Sequence, residues 1–301
     1  MRIGIFGGEV AGTGGIDDVV AAAKEAADQG FPSYWLPQIF GLDALTTIAV
    51  IGREVPGLEL GTAVVPTYPR HPMMLAAQAL TAQAATGGRL VLGIGLSHQI
   101  VIEGMFGMSF DKPVRHMREY LEILMPLVRG ESVSYKGETL TFNGGVGVQG
   151  ATPFPVLIAA LGPKMLALAG SLADGTITWM TGPATLERHT IPTISKAAEQ
   201  AGRPAPRVAV GLPVCVTDDP DGARERAGKV FSIYDTLPSY KAMLDREGAG
   251  GPADVAIVGD EAAVRGELER LADIGVTDLA AVEFGSRDTH PRTRELIRSL
   301  L

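Results

Sequence analysis

Short apolar runs rich in β-branched residues recur along the chain at Arg2–Phe6, Tyr34–Pro37, Leu58–Val65, Leu90–Leu96, Val156–Ala160, Thr176–Met180, Val208–Val216 and Leu279–Phe284. Stretches long enough for a helix separate most of them. A strand that is apolar on nearly every residue, not only on alternate ones, has to be covered on both faces. That is the condition of a parallel sheet wrapped in helices. Eight such strands predict an α/β fold, a (β/α)8 TIM barrel. A doubly wound open sheet is the alternative, but no dinucleotide-binding glycine pattern follows any of the runs.

The intervening segments carry helical periodicity. Ile16, Val19, Val20, Ala23 and Ala27 fall on one face, with Gly30 as a stop. Leu121, Leu124, Leu127 and Val128 form a second stripe that ends at Gly130. Val264, Leu268, Leu271 and Ile274 form a third, opened by Asp260 as N-cap and closed by Gly275. Ala27-Asp28-Gln29-Gly30, Ala173-Asp174-Gly175 and Ala272-Asp273-Ile274-Gly275 each join a helix to a strand. Repeated βα units would produce this, although Ala-Asp followed by Gly is also simply a good turn. Two segments depart from the alternation. Residues 131–154 read as a hairpin turning at Lys136-Gly137, followed by a Gly-rich loop. Residues 218–254 read as a long helix with Gly248-Ala249-Gly250-Gly251 behind it. Both are expected as insertions into one barrel domain spanning residues 1–301.

Composition narrows the function. Hydrophobic residues make up 46% of the 301 and charged residues 20%, which suits a large buried core. A net charge of −8 without any Lys/Arg cluster argues against nucleic-acid partners. No apolar stretch approaches the roughly 18 residues of a membrane span, and no basic segment precedes the apolar run Ile3 to Phe6. A cytoplasmic protein with no membrane partner is therefore expected. Cys215 is the only cysteine, so it reads as a small buried hydrophobe. The five histidines (His71, His98, His116, His189 and His290) show no metal-ligand spacing. There is no nucleophile elbow and no phosphate-binding loop ending in Gly-Lys-Ser/Thr, which removes the common hydrolase and kinase classes.

Barrels of this type keep their active sites at the C-terminal ends of the strands. The fifth run leads into Leu161-Gly162-Pro163-Lys164-Met165, and the sixth into Thr181-Gly182-Pro183. Glycine lets a ligand approach the backbone, and Pro at the first helical position leaves the remaining amides pointing outward. Two neighbouring helix N-termini of this kind would hold a phosphate, with Lys164 adding positive charge; the plainer alternative is that Gly-Pro only starts helices. The fourth run continues as Gly93-Ile94-Gly95-Leu96-Ser97-His98. Its alternating glycines leave room for a flat ligand, to which His98 could donate a proton or a hydrogen bond. A lone histidine also serves often in purely structural roles. Gln38 and Glu103 are lesser candidates on the same argument. The third run gives Gly61-Thr62-Ala63-Val64-Val65-Pro66, followed by Arg70-His71-Pro72 at a helix start.

Taken together, Gly61-Thr62-Ala63-Val64 with Arg70-His71-Pro72, Leu92-Gly93-Ile94-Gly95 with Ser97-His98, Ala159-Ala160-Leu161-Gly162-Pro163-Lys164-Met165 and Ala173-Asp174-Gly175 resemble the luciferase-like monooxygenase superfamily. The resemblance is particularly to its deazaflavin-dependent (coenzyme F420) oxidoreductases. The resemblance implies a bacterial-luciferase-like barrel, often a homodimer, whose mouth holds a flavin-like ring beside Gln38, Ala63, Val64 and Ser97. It implies a non-prolyl cis peptide, by position Ala63–Val64. The cofactor phosphate would lie near Leu161, Gly162, Pro163 and Lys164 and near Thr181 and Gly182. The implied reaction is hydride transfer between coenzyme F420 and a small organic substrate, with His98 beside the ring as catalytic residue. Some deazaflavin relatives carry acidic or histidine residues where this chain has Pro37-Gln38, and an acid where it has Ser97-His98. Roles in those relatives do not transfer to these positions. An FMN-dependent monooxygenase of the same superfamily, a cofactor-binding barrel without turnover and a sugar-phosphate barrel enzyme are the competing functions.

Overall fold

A computed structural model describes residues 1–7, 14–286 and 288–301. Eight parallel strands form the barrel: β1 (Arg2–Phe6), β2 (Ser33–Leu36), β3 (Glu59–Thr62), β4 (Leu90–Gly95), β5 (Val156–Ile158), β6 (Gly175–Trp179), β7 (Arg207–Val216) and β8 (Asp278–Glu283). Strands adjacent in sequence are adjacent in the sheet all the way round, and β8 pairs with β1 to close the ring. Each of the eight apolar runs contains most of one strand.

Two departures from the sequence reading are local. The third run is not one strand, because pairing stops at Thr62 and resumes with Val65–Pro66 against Ile94 and Gly95 of β4. Between them the Ala63–Val64 peptide is cis, as the resemblance implied. A short strand at Ile257–Gly259 adds to the C-terminal half of β7, and its three-residue run is too brief to stand out in sequence.

Side-chain alternation divides the core in two. One set packs between sheet and helices. The other fills the barrel interior with Trp35, Val91, Leu157, Ile177, Ala209 and Ala280, topped by Phe6, Ala63 and Val64. The two indoles need room inside a narrow barrel, and glycines supply it. A Cβ on Gly61 would lie 2.2 Å from Trp35, and one on Gly211 would lie 2.9 Å from Trp179.

Below this apolar layer, the starts of four strands bring charges together. Arg207 donates from Nε and Nη2 to both oxygens of Asp278, at 2.7 and 2.6 Å, and from Nη2 to Glu59 at 2.6 Å. Arg2 adds a 3.1 Å bond to Glu59. The Arg207 guanidinium also lies 5.6 Å from the centroid of the Trp35 ring.

The helices end as their sequences require, with Gly30, Gly130 and Gly275 at φ of 91°, 79° and 100°. Asp260 caps the N–H of Ala263 at 2.8 Å. Within 131–154, Val133–Lys136 pairs antiparallel with Thr141–Gly144. The hairpin turn is held by Glu119, which accepts from the N–H groups of Glu138, Thr139 and Leu140 and from the Thr139 hydroxyl. Burial pushes the Glu119 carboxyl up, but these donors outweigh burial and hold it at about 2.

The segment 218–254 holds two helices, Pro220–Val230 and Pro238–Glu247, where one long helix was expected. The first helix stops at Val230, a 3-10 turn at Ser232–Thr236 follows, and the second helix starts only after Leu237. Proline offers no N–H to continue the helix and biases its predecessor to extended geometry, and Leu237 has φ −91° and ψ 118°. Among the described residues no helix is long and apolar enough to cross a membrane.

Candidate active site at the barrel mouth

The C-terminal ends of the strands surround a mouth walled by Phe6 of β1, Val64 beyond β3 and Trp179 of β6. Phe6 and Trp179 approach with ring centroids 5.7 Å apart. Just past the ends of β4 and β6, Ser97 and Met180 hold positive φ values of 61° and 52°. Non-glycine residues rarely adopt that conformation, and it concentrates where backbone is shaped around a ligand.

His98 follows Ser97 and begins the short helix Gln99–Gly104 without capping it through its side chain. Its ring is partly buried and lies 5.8 Å from that of Tyr240. Burial holds the imidazole below its usual pKa, so it is neutral around pH 7, with one N–H to donate and one nitrogen to accept.

The glycines of β4 do not leave the open space that their spacing suggested. A Cβ on Gly95 would lie 2.7 Å from Val64 Cγ2, and one on Gly93 would lie 2.0 Å from the Thr62 carbonyl oxygen. They accommodate the backbone after β3 and the Val64 side chain, which stands over them in the mouth.

The loop after β5 remains open. Gly162 is the N-cap of helix Pro163–Leu172, and among the described residues no atom comes within 4 Å of where its Cβ would be. Pro163 and Lys164 are exposed beside it, and Lys164 makes no ion pair among the described residues. The Leu161 carbonyl accepts a 2.9 Å hydrogen bond from His189 Nε2. His189 lies in the π-turn Leu186–Thr190, just ahead of Pro192, whose missing N–H such a turn accommodates.

The loop after β6 differs from the expectation of a second open helix terminus. The Glu247 carboxylate accepts from the N–H groups of Ala184, at 3.0 Å, and Thr185, at 2.7 Å. It also fills the space beside Gly182, where a Cβ would lie 2.3 Å from Glu247 Cδ. Thr181 is fully buried. Free N–H groups at a helix start attract the nearest anion, and here the chain supplies one from residue 247.

Two lesser candidates have local roles. Gln38 Oε1 accepts from the Ala44 N–H at 2.7 Å, beside Asp43, which caps Thr46 and pairs with Arg70. Glu103 is exposed and bonds Gln99 within its own helix. Among the described residues no group of His, Cys, Asp and Glu is arranged to hold a metal ion.

Sequence reasoning missed the aromatic side of the mouth. Trp179 meets Phe231 and Tyr234 edge-on, each at 5.8 Å, and Tyr234 meets Tyr240 at 4.9 Å. Trp179 was within reach, since period-two alternation from Ile177 points it inward. The other three belong to a segment whose fold has no repeating pattern to follow.

The family model of the luciferase-like monooxygenases matches residues 1–290. The chain belongs to this family. It is 29% identical to the 5,10-methylenetetrahydromethanopterin reductase of Methanolobus tindarius over 93% of this chain and 85% of that protein. It is 30% identical, over 88% of this chain and 78% of its counterpart, to a Mycobacterium tuberculosis protein whose name places it provisionally among coenzyme F420-dependent oxidoreductases. In structure it matches an F420-dependent secondary alcohol dehydrogenase solved with an F420–acetone adduct. That match has a TM-score of 0.80 at 20% identity and covers 100% of this chain and 98% of the other. The structural likeness bears out the barrel fold.

Proposed function

We propose that this chain is a coenzyme F420-dependent oxidoreductase that moves a hydride between the coenzyme and a small organic substrate in the barrel mouth. What supports the redox class most is likeness along nearly the whole chain to two proteins named as a reductase and an oxidoreductase. The residues present also suit the group. Among the described residues Gly162 offers an uncovered backbone and Lys164 a positive charge without an ion pair, and the helix behind them offers amide donors, which together fit a phosphate. Leu161 and Pro163 flank that place. Thr181 and Gly182 fit it less well, because Glu247 already takes the neighbouring N–H groups. Ala63, Val64, Ser97 and, more remotely, Gln38 would line the ring.

Bound coenzyme F420 supplies the hydride donor or acceptor. The chain's own part is to bind, to orient and to exclude water. Phe6, Val64 and Trp179 present apolar surface that keeps water from the reacting face. His98, neutral in its partly buried position, donates or accepts a hydrogen bond where charge changes during transfer.

The family's own description favours a second reading, an FMN-dependent monooxygenase that activates oxygen. Titrating the purified protein with coenzyme F420 and separately with FMN, by quenching of cofactor fluorescence, tests the proposal. Tight F420 binding with weak FMN binding is expected. The reverse preference with oxygen consumption would establish the monooxygenase, and F420 binding without reduction of any acceptor would leave a carrier. We also read the chain as a cytoplasmic homodimer of single-domain barrels with insertions at 131–154 and 218–254. Exposed Phe40, Met74 and Ile100 near the mouth offer apolar surface to a second copy, and sedimentation tests this.

A further inference from the structure

The helix Pro238–Glu247 is anchored at its last residue. Besides the two N–H groups that Glu247 accepts, Thr185 Oγ1 donates to the Met243 carbonyl at 3.3 Å, and only Met243 and Leu244 of this helix are buried. The anchor lies on the turn after β6. From there the segment reaches toward the loop after β4, where the Tyr240 and His98 rings are 5.8 Å apart. Since β5 lies between β4 and β6 in the sheet, the two contacts of the segment fall on either side of β5. The rings of Trp179, Tyr234 and Tyr240 run along that span in successive edge-on contacts at 5.8 and 4.9 Å.

We propose that Glu247 is a positioning residue which pins this aromatic wall across the mouth, and that the wall receives a planar, apolar part of the substrate. This rests on the mouth being the reaction site. Aromatic faces and edges favour other planar rings over saturated ones of equal size, because stacking adds to the area removed from water. Burial holds the Tyr240 hydroxyl above the usual phenol range, so the wall stays uncharged at working pH. The anchor is strong because an anion accepts two backbone donors at a helix start. Without it, little apolar surface on the helix would fix Tyr240 beside His98.

The test compares 1-naphthol with its saturated, non-planar analogue decahydro-1-naphthol by calorimetric titration of the full chain, with and without coenzyme F420. Wild type should bind the planar probe at least about tenfold more tightly than the saturated one. Glu247→Ala should lose most of that preference, while affinity for F420 changes less than about twofold. Glu247→Gln should retain much of the preference, because its amide oxygen still accepts one N–H. Gly182→Ala is an independent variant: its added methyl occupies the place of Glu247 Cδ and displaces the carboxylate without removing it. It should lose most of the planar preference, as Glu247→Ala does. Equal binding of the two probes by wild type, or an intact preference in both Glu247→Ala and Gly182→Ala, overturns the proposal. If F420 fails to bind wild type while the planar preference still follows Glu247, the redox reading fails and the wall stands.

Discussion

The two ends of the barrel are built from the same eight strands and handle polarity in opposite ways. At the N-terminal end, Arg207, Asp278, Glu59 and Arg2 satisfy one another, and the Asp278 side chain is only 2% exposed. At the C-terminal end, His98 and Lys164 and the backbone beside Gly162 have few or no partners among the described residues, and Ser97 and Met180 adopt unfavourable backbone angles. The lower end spends its interactions on holding strands together, whereas the upper end leaves groups open, as the proposed cofactor site requires. On that proposal stability and function are separated along the barrel axis by the layer that contains Trp35.

The sharpest way to break this contrast is Arg207→Ala. It strips the buried Asp278 of its bidentate partner and leaves Asp278 and Glu59 only the more exposed Arg2, at 3.5 and 3.1 Å, and should cost about 3 kcal/mol of stability. Thermal or urea unfolding would show the loss, and a change under about 1 kcal/mol would mean that the lower end is not a structural plug. His98→Ala is expected to do the opposite. Hydride transfer should slow roughly a hundredfold, while unfolding shifts by less than about 0.5 kcal/mol; a comparable loss of stability would make His98 a packing residue. Lys164→Ala should weaken coenzyme binding about tenfold, or about 1.4 kcal/mol, with no change in melting temperature. Coenzyme affinity equal to wild type would remove Lys164 from the phosphate site.

The smallest effect is in pH. His98 has its folded pKa lowered by burial from 6.5. Its neutral form therefore persists below that value, and the acidic limb of kcat/KM should fall below pH 6.5. The same shift contributes stability that is present above 6.5 and is lost as pH falls from there toward the lowered value. In His98→Ala both features should disappear. Arg207, whose guanidinium is held above its usual range by Asp278 and Glu59 despite the opposing effect of burial, should contribute no titration near neutrality.

The strands were legible because burial on both faces writes an unbroken apolar run, and the helix ends because glycine alone takes positive φ without cost. The open loop at Gly162–Lys164 was legible for the same local reason. The plug was not, since Glu59, Arg207 and Asp278 lie far apart in the chain and meet only when the ring closes. Nor was the Glu247 cap, because Gly182-Pro183 reads the same whether a ligand or a distant side chain takes its amides. The glycines of β4 misled for a related reason: a missing Cβ marks a close approach, but not which group approaches. In this barrel the groups are the Thr62 carbonyl at Gly93 and Val64 at Gly95.

Closure of the ring through the pairing of β1 with β8 has a consequence for synthesis. Strand β1 finds its last neighbour only after residue 278 has emerged. Until then a growing arc of sheet carries two raw edges, β1 and whichever strand came last, and Arg207 waits without its principal carboxylate. Such an arc is open to pairing with other nascent chains. Both edges disappear together when β8 pairs with β1.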